Sequence, residues 1–374
     1  MVRQPRLVPG AHDALAVVKT PLQLLNAIEA RHEFGFANPV LYVLTSYYNS
    51  REELLALVDE RDWAAVRCMD YGHIGKTAGL PVLDAGWVIR SERAMRLRQW
   101  LLRDRFDAVF APWRGVSNLV LGNYLQSQFK HLAWLCRPGR CIVVDDGTDT
   151  LRVAAARRNL HRHGPTDVET PARWHQPRRW WSQNRVDWNR SEAPAITVFS
   201  TYDVDLPPTD RLVTNAYRHV RARARAAARG ERCYFLGQPL VEDGYLDVPT
   251  FRELLGQVQR SFAPREVVYL PHPREDRARL GPDLAAVGLT ALEIGKPLEF
   301  HLLEAAELPA VIASFFCSAL DSCRLIWDRR MRLVALRIAP SRLLACHDFV
   351  AEIYDYFAHK TAGAIEVREP GEEI

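Results

Sequence analysis

Residues 141–148 read CIVVDDGT. Four apolar residues run without a polar break into two adjacent carboxylates, a glycine and a threonine. Such a run, with no alternation, is the pattern of a strand buried on both faces of a parallel sheet. The two acids at its end are costly to bury unless they are hydrogen-bonded or used. The arrangement recurs along the chain. ALAVV (14–18) and VLYVL (40–44) lie upstream with a short strand at 65–69, and AVFA (108–111) reads as one more strand. AITVFS (195–200), CYFL (233–236), EVVYL (266–270) and a late strand at 333–337 follow. Helical patterns separate them at 22–34, 52–61, 92–105, 117–132, 210–229, 250–261 and 347–360. Strands alternating with helices predict an α/β fold with parallel sheets covered on both sides.

The chain has 374 residues, more than one core of ~250–300 residues supports. Two α/β halves, each of the Rossmann-like kind, are expected, with a cleft between them. The first spans 10–205 and carries an irregular insertion at 151–190, which holds nine Arg and four Trp against three acids. The second spans 206–345, and 346–374 is expected to form a helix packing back on the first. Charged residues make up 25% and the net charge is +4, which excludes a protein whose whole surface binds nucleic acid. Of 49 basic residues 44 are Arg, a bias read as genome composition. No apolar run of ~18 residues exists, so no transmembrane helix is expected. Seven Cys without a CxxC pair argue against a disulfide framework or structural zinc and for a cytoplasmic protein.

In open α/β sheets, ligands sit beyond the carboxyl ends of strands. The distinctive residues fall there. Asp145, Asp146 and Gly147 follow CIVV; like charge and partial burial raise one carboxylate toward the range of a base, though Asp-Gly is also a common turn pair. Thr20, Pro21 and Gln23 open the first helix, which by itself is only a helix start. Gly237 and Gln238 follow CYFL, with Glu242 and Asp243 as a second acidic pair that rivals the first as base. His272 lies between Pro271 and Pro273, which fix the backbone around one imidazole. Ser314 and Ser318 flank Cys317 where a strand joins a helix; they read as caps or as partners of a phosphate at a helix N-terminus. Cys317 reads as a small apolar filler. Glu299 reads as a surface acid or a ribose-binding carboxylate. There is no GxxxxGK[ST], no GxGxxG after a strand, no GxSxG and no HExxH. There is also no DxD triplet of the metal-binding sort; Asp203-Val204-Asp205 reads as a linker.

Six segments in order resemble the bacterial sialyltransferases of glycosyltransferase family 52, which includes lipooligosaccharide sialyltransferases, and the related capsular polysialyltransferases. They are VVKTPLQLLNAIEA (17–30), VVDDGTDTL (143–151), FLGQPLVEDG (235–244), VYLPHPRE (268–275), PLEFHLL (297–303) and ASFFCSAL (313–320). The resemblance implies a GT-B fold and inverting transfer of sialic acid from CMP-sialic acid to a cell-surface glycan. It implies Asp145, or else Asp146, as the base, with Glu242 or Asp243 as alternatives. It implies His272, beside Pro273, at the departing phosphate, Ser314 and Ser318 near that phosphate, and Glu299 at the nucleoside. Thr20, Pro21, Gln23 and Gly147 then line the acceptor side, and Gly237 and Gln238 the donor side. No metal or other cofactor is expected, because CMP carries one phosphate. The resemblance is compatible with a homodimer, and the Arg/Trp-rich stretch with peripheral contact at the inner membrane. Two alternatives stand beside it. One is another CMP-linked sugar (Kdo, pseudaminic or legionaminic acid). The other is a non-catalytic protein that binds an anionic polymer through the Arg/Trp-rich stretch.

Overall fold

The computed structural model describes residues 8–45, 51–70, 104–163, 194–224 and 227–374. Residues 92–103 of the expected Arg-rich helix, and 164–190 of the Arg/Trp-rich stretch, lie outside that set. The chain divides into two units, Met1–Asn215 and Ala216–Ile374, so the boundary falls later than the expected 205/206.

The first unit runs β1 (Ala14–Val18), α1 (Pro21–Glu33), β2 (Pro39–Thr45), α2 (Arg51–Ala56), β3 (Ala65–Asp70), β4 (Asn118–Leu121), α3 (Ser127–Cys136), β5 (Arg140–Val144), α4 (Asp149–His163), β6 (Ile196–Ser200) and β7 (Arg211–Thr214). Its sheet has the order β3-β2-β1-β4-β5-β6-β7, and neighbouring strands pair in parallel. All five residues of β1 are buried. Leu15 and Val17 pack into one apolar cluster, Ala14, Ala16 and Val18 into another. The strand thus feeds two cores, and each Leu or Val so buried contributes about 1.5–3 kcal/mol.

The second unit runs α5 (Arg218–Arg223), β8 (Ala228–Arg229), β9 (Cys233–Leu236), α6 (Val248–Ser261), β10 (Val267–Leu270), α7 (Arg277–Ala286), β11 (Thr290–Ala291), α8 (Leu298–Glu304), β12 (Glu307–Leu308), β13 (Val311–Ser314), α9 (Ala319–Trp327), β14 (Arg332–Leu336), α10 (His347–Lys360) and β15 (Glu366–Arg368). Its sheet is also parallel, in the order β11-β10-β9-β13-β14-β15. In both units the first strand lies between the second and the fourth strand of the sheet. The chain turns outward in opposite directions there, which makes a switch point where doubly wound sheets bind ligands.

Four sequence expectations are corrected. AVFA (108–111) is not a strand: residues 104–110 are helical, and Phe106 and Phe110, four apart, are both fully buried. Four apolar residues are too few for periodicity to separate helix from strand. The expected helix at 117–132 is β4 followed by α3. The expected helix at 210–229 is β7, the six-residue α5 and β8; Asp210 is held by Arg157 at 2.7 Å through both Nε and Nη2, which pins the chain beside the sheet. The first part of the 151–190 insertion is not irregular, since α4 reaches His163.

Residues 346–374 belong to the second unit. β15 pairs with β14. The Tyr354 hydroxyl on α10 donates to the Leu336 carbonyl at 2.9 Å and accepts from the Ile338 N–H at 3.0 Å. No helix among the described residues is long and apolar enough to cross a membrane.

Candidate functional site

In the first unit, the ends of β1, β4, β5 and β6 bring one polar cluster together. Asp145 is 2% exposed and both its carboxylate oxygens are engaged. Oδ1 accepts from the Thr150 hydroxyl at 2.8 Å and Oδ2 from the Thr201 N–H at 2.7 Å. Its carbonyl accepts from Asn26 Nδ2 at 2.9 Å. Burial pushes this carboxyl up to about 6, against the hydrogen bonds from Ser200, Thr201 and Thr150. Asp146 is only partly buried. Its Oδ1 accepts from the Thr20 hydroxyl at 3.2 Å and its Oδ2 from Asn123 Nδ2 at 2.8 Å. Burial raises this carboxyl too, and Asp149 adds to the rise while Asn123, Gln23 and Thr20 oppose it. The two adjacent acids therefore differ: one is enclosed by its own fold, the other keeps a way out to solvent.

Gly147 has φ 67°, in the left-handed region where a side chain is strained. That turn lets the chain leave β5 and enter α4 with Asp146 facing Asn123. Thr20 caps α1 by accepting from the Gln23 N–H at 3.2 Å, and Pro21 sits in the first turn. Gln23 is fully buried, and its Oε1 accepts from the Lys19 N–H at 2.8 Å. Burial pushes the Lys19 ammonium down, partly offset by Asp146. Sequence reasoning missed Asn123, Asn26, Thr150 and Thr201. Asn123 follows the apolar run NLVL of β4, and reading that run as a strand would have placed it at a strand end.

In the second unit, the ends of β9, β10 and β13 do the same. Gln238 Oε1 accepts from the Phe316 N–H at 3.0 Å and lies 3.1 Å from Ser314 Oγ, which is itself 2.9 Å from the Leu236 carbonyl. Gln238 and fully buried Ser314 thus clamp β9 to β13 across the switch point. Ser318 differs: it is half-buried at the N-cap of α9, with no side-chain cap bond. Cys317, next to it, has its thiol pushed up to about 11 by burial, which makes it a poor nucleophile.

His272 is half-buried just beyond β10, with Pro273 exposed after it. Its Nδ1 accepts from the Arg274 N–H at 3.1 Å. Burial, then Arg274, hold the imidazole down to about 4. The ring is therefore neutral near pH 7, and its hydrogen sits on Nε2 because Nδ1 is an acceptor. Among the described residues nothing accepts from Nε2. Beneath it lies Glu275, which sequence reasoning left unassigned; its buried carboxylate accepts from the His272 N–H at 2.7 Å. Gly237 is glycine for a steric reason: a Cβ there would run into the Glu275 carboxylate and the Tyr269 hydroxyl.

The other expected acids are committed elsewhere. Glu242 accepts from Arg279 at 2.7 Å and from the Asp276 N–H at 3.0 Å. Burial works against its charge, but these bonds prevail and hold it below the usual carboxylate range. Asp243 accepts from Arg274 at 2.7 Å. Glu299 is buried in the first turn of α8, accepts from the Ser322 hydroxyl at 2.5 Å, and is raised by burial. Among the described residues no group of three or more His, Cys, Asp or Glu could hold a metal ion.

No family model matches the chain, and no curated protein matches it by sequence. Solved structures do match. A candidate UDP-N-acetylglucosamine 2-epimerase from Listeria monocytogenes is 11% identical with a TM-score of 0.53, over 96% of this chain and 84% of that one. UDP-GlcNAc 2-epimerase from Neisseria meningitidis, solved with UDP-GlcNAc bound, is 10% identical with a TM-score of 0.51, over 96% of this chain and 95% of that one. At such identities the likeness is one of fold. Two Rossmann-like parallel sheets in one chain, matched over nearly its whole length, are the GT-B fold.

Proposed function

We propose that the chain is an inverting glycosyltransferase that moves sialic acid from CMP-sialic acid to a hydroxyl of a cell-surface glycan. The observation that carries this reading is the state of His272: a neutral imidazole, fixed through Nδ1 and presenting Nε2–H beside the switch point of the second sheet. Such a group donates a hydrogen bond to a departing phosphate without a cation or metal. The unspent Ser318 hydroxyl and the first turn of α9 add donors of the same kind. The six ordered segments that resemble family 52 supply the identity of the donor.

In this reaction the acceptor oxygen forms its bond to the anomeric carbon of sialic acid as the bond from that carbon to the phosphate oxygen breaks. The electron pair leaves with CMP. The acceptor proton passes to a carboxylate, for which Asp146 is the better choice. It is raised by burial, is oriented by Thr20 and Asn123, and retains exposure, whereas Asp145 is shut away from solvent. Asp145 then shapes the turn that presents Asp146. Ser314 and Gln238 hold the strand ends beneath the donor.

A thermal shift with CMP, followed by a donor panel, tests the reading. CMP should raise the melting temperature, since ligand at 100 times its Kd stabilises by about 2.7 kcal/mol. CMP-sialic acid should turn over. Binding of CMP with turnover of CMP-Kdo alone would move the assignment to a different sugar. A response to UDP-GlcNAc and none to CMP would sink it.

A further inference from the structure

Glu275 is 4% exposed, and both its carboxylate oxygens are engaged. Oε1 accepts from the Tyr269 hydroxyl at 2.7 Å and Oε2 from the His272 backbone N–H at 2.7 Å. The link is reciprocal, because the Glu275 N–H donates to the His272 carbonyl at 3.0 Å. Gly237, on the neighbouring strand end, makes room for the carboxylate, which lies where a Cβ would otherwise be. Among the described residues no Arg, Lys or His lies within ion-pair distance of Glu275. An enclosed carboxylate held only by a phenol and an amide is an expensive way to fill space, since an amide or apolar side chain would fill it at lower cost. A charge kept there calls for a reason beyond packing.

We propose that Glu275 is a positioning residue for His272, its ionisation state setting how the imidazole is presented at the end of β10. The functional weight of this rests on the reading of His272 given above; the coupling between the two side chains does not.

Three observations support it. The bond from the His272 amide to an ionised acceptor is charge-assisted, and it weakens when that acceptor gains a proton. The same residue's imidazole is tied to the Arg274 N–H in the next peptide, so a change in the turn is carried to the ring. Burial pushes Glu275 up to about 7 while it pushes His272 down to about 4. In the neutral range it is the acid that titrates, and the imidazole does not. The groups facing the acid are Tyr269 on β10 and the His272 amide, whose bonds favour its charged form. Glu242 disfavours that form from the β9–α6 segment, and Arg277 on α7 favours it.

The test is the pH dependence of the His272 ring ¹⁵N shifts from pH 5 to 9. The ring should remain the neutral Nε2–H tautomer throughout and show a small step centred near neutrality. Glu275→Gln keeps an acceptor for the His272 amide but cannot titrate, so the step should vanish. Tyr269→Phe removes a bond that favours the charged acid, so the step should move to higher pH. A step that survives Glu275→Gln, a step unmoved by Tyr269→Phe, or no step in the wild type would overturn the proposal. CMP binding by thermal shift reads the functional assignment separately. A step without CMP binding leaves the positioning role and sinks the transferase; CMP binding without a step does the reverse.

Discussion

Nδ2 of Asn215 donates to Oδ1 of Asn26 at 3.0 Å, and Asn26 donates in turn to the Asp145 carbonyl at 2.9 Å. Both amides are fully buried. They tie the last residue of the first unit, through α1, to the turn that carries the two acids. Asn26→Ala removes both bonds at once and leaves the Asp145 carbonyl buried without this donor. The variant should lose about 1–3 kcal/mol in urea unfolding. A midpoint equal to wild type would show that the amide pair is incidental.

Asp145 and Asp146 should respond differently to the same change. Asp145→Asn turns one carboxylate oxygen into an NH2 group in a site shut away from water, beside a Thr201 N–H that needs an acceptor. It should cost about 1–3 kcal/mol of stability. Asp146→Asn keeps an oxygen for Thr20 or Asn123 and should change stability by less than about 1 kcal/mol, while turnover falls ~10²–10⁴-fold as expected of a lost general base. Measuring both variants for melting and for transfer separates the roles. Full activity in Asp146→Asn would return the base to another residue.

How much of this was legible in the sequence depended on what kind of signal a residue leaves. Buried parallel strands announce themselves as unbroken apolar runs, so β1, β5, β9 and β10 were readable, and with them Asp145, Asp146, Gly237 and His272 at their ends. β4 was not, because NLVL (118–121) sits inside a longer apolar stretch that also fits a helix. Asn123 was lost with it. Asn26, Thr201 and Asn215 are single polar residues whose partners are distant in the chain, and nothing local marks them. Ser314 shows what position alone leaves out. Its place after a strand suggested a ligand contact, while its hydroxyl is spent between Leu236 and Gln238. Glu275 did leave a trace, three residues after His272, which is the spacing of a turn whose side chain reaches back to its first N–H.

His272→Ala should lower turnover by ~10²–10⁴-fold if the imidazole serves the departing phosphate, whereas His272→Gln, which can still present an N–H donor, should lose less. Because the imidazole is held down to about 4, wild-type turnover should not fall through His272 protonation as pH drops from 8 to 5. A pH–rate limb near 6.5 that disappears in His272→Gln would contradict the neutral-donor role.

Gly237→Ala places a Cβ against the Glu275 carboxylate and the Tyr269 hydroxyl. Neither can retreat, since Tyr269 is fully buried and Glu275 is fixed at both oxygens. Overpacking of this kind costs about 1–3 kcal/mol. A thermal melt checks it, and a Tyr269→Phe background, which relieves part of the clash, should recover some of the loss. No recovery would mean the strain is carried by the backbone instead.

Glu275 also predicts a particular dependence of stability on pH. Its carboxyl is raised from 4.5 to about 7 by burial. A raised acid binds its proton more tightly folded than unfolded, so its contribution is fully present below about pH 4.5 and is lost as pH rises through about 7. Glu275→Gln carries no such proton. The stability of the variant relative to wild type should therefore increase from pH 5 to pH 8, by on the order of 2–3 kcal/mol if the shift is fully expressed. Asp145 also titrates in this interval when folded, and His272 does so only in the unfolded chain; their contributions have opposite signs, because the acid is raised and the imidazole lowered. Both are present in the two proteins and cancel in the difference to first order, so urea unfolding of the pair at pH 5 and pH 8 isolates Glu275. Parallel stability curves would mean that the buried carboxylate titrates as it does in the unfolded chain.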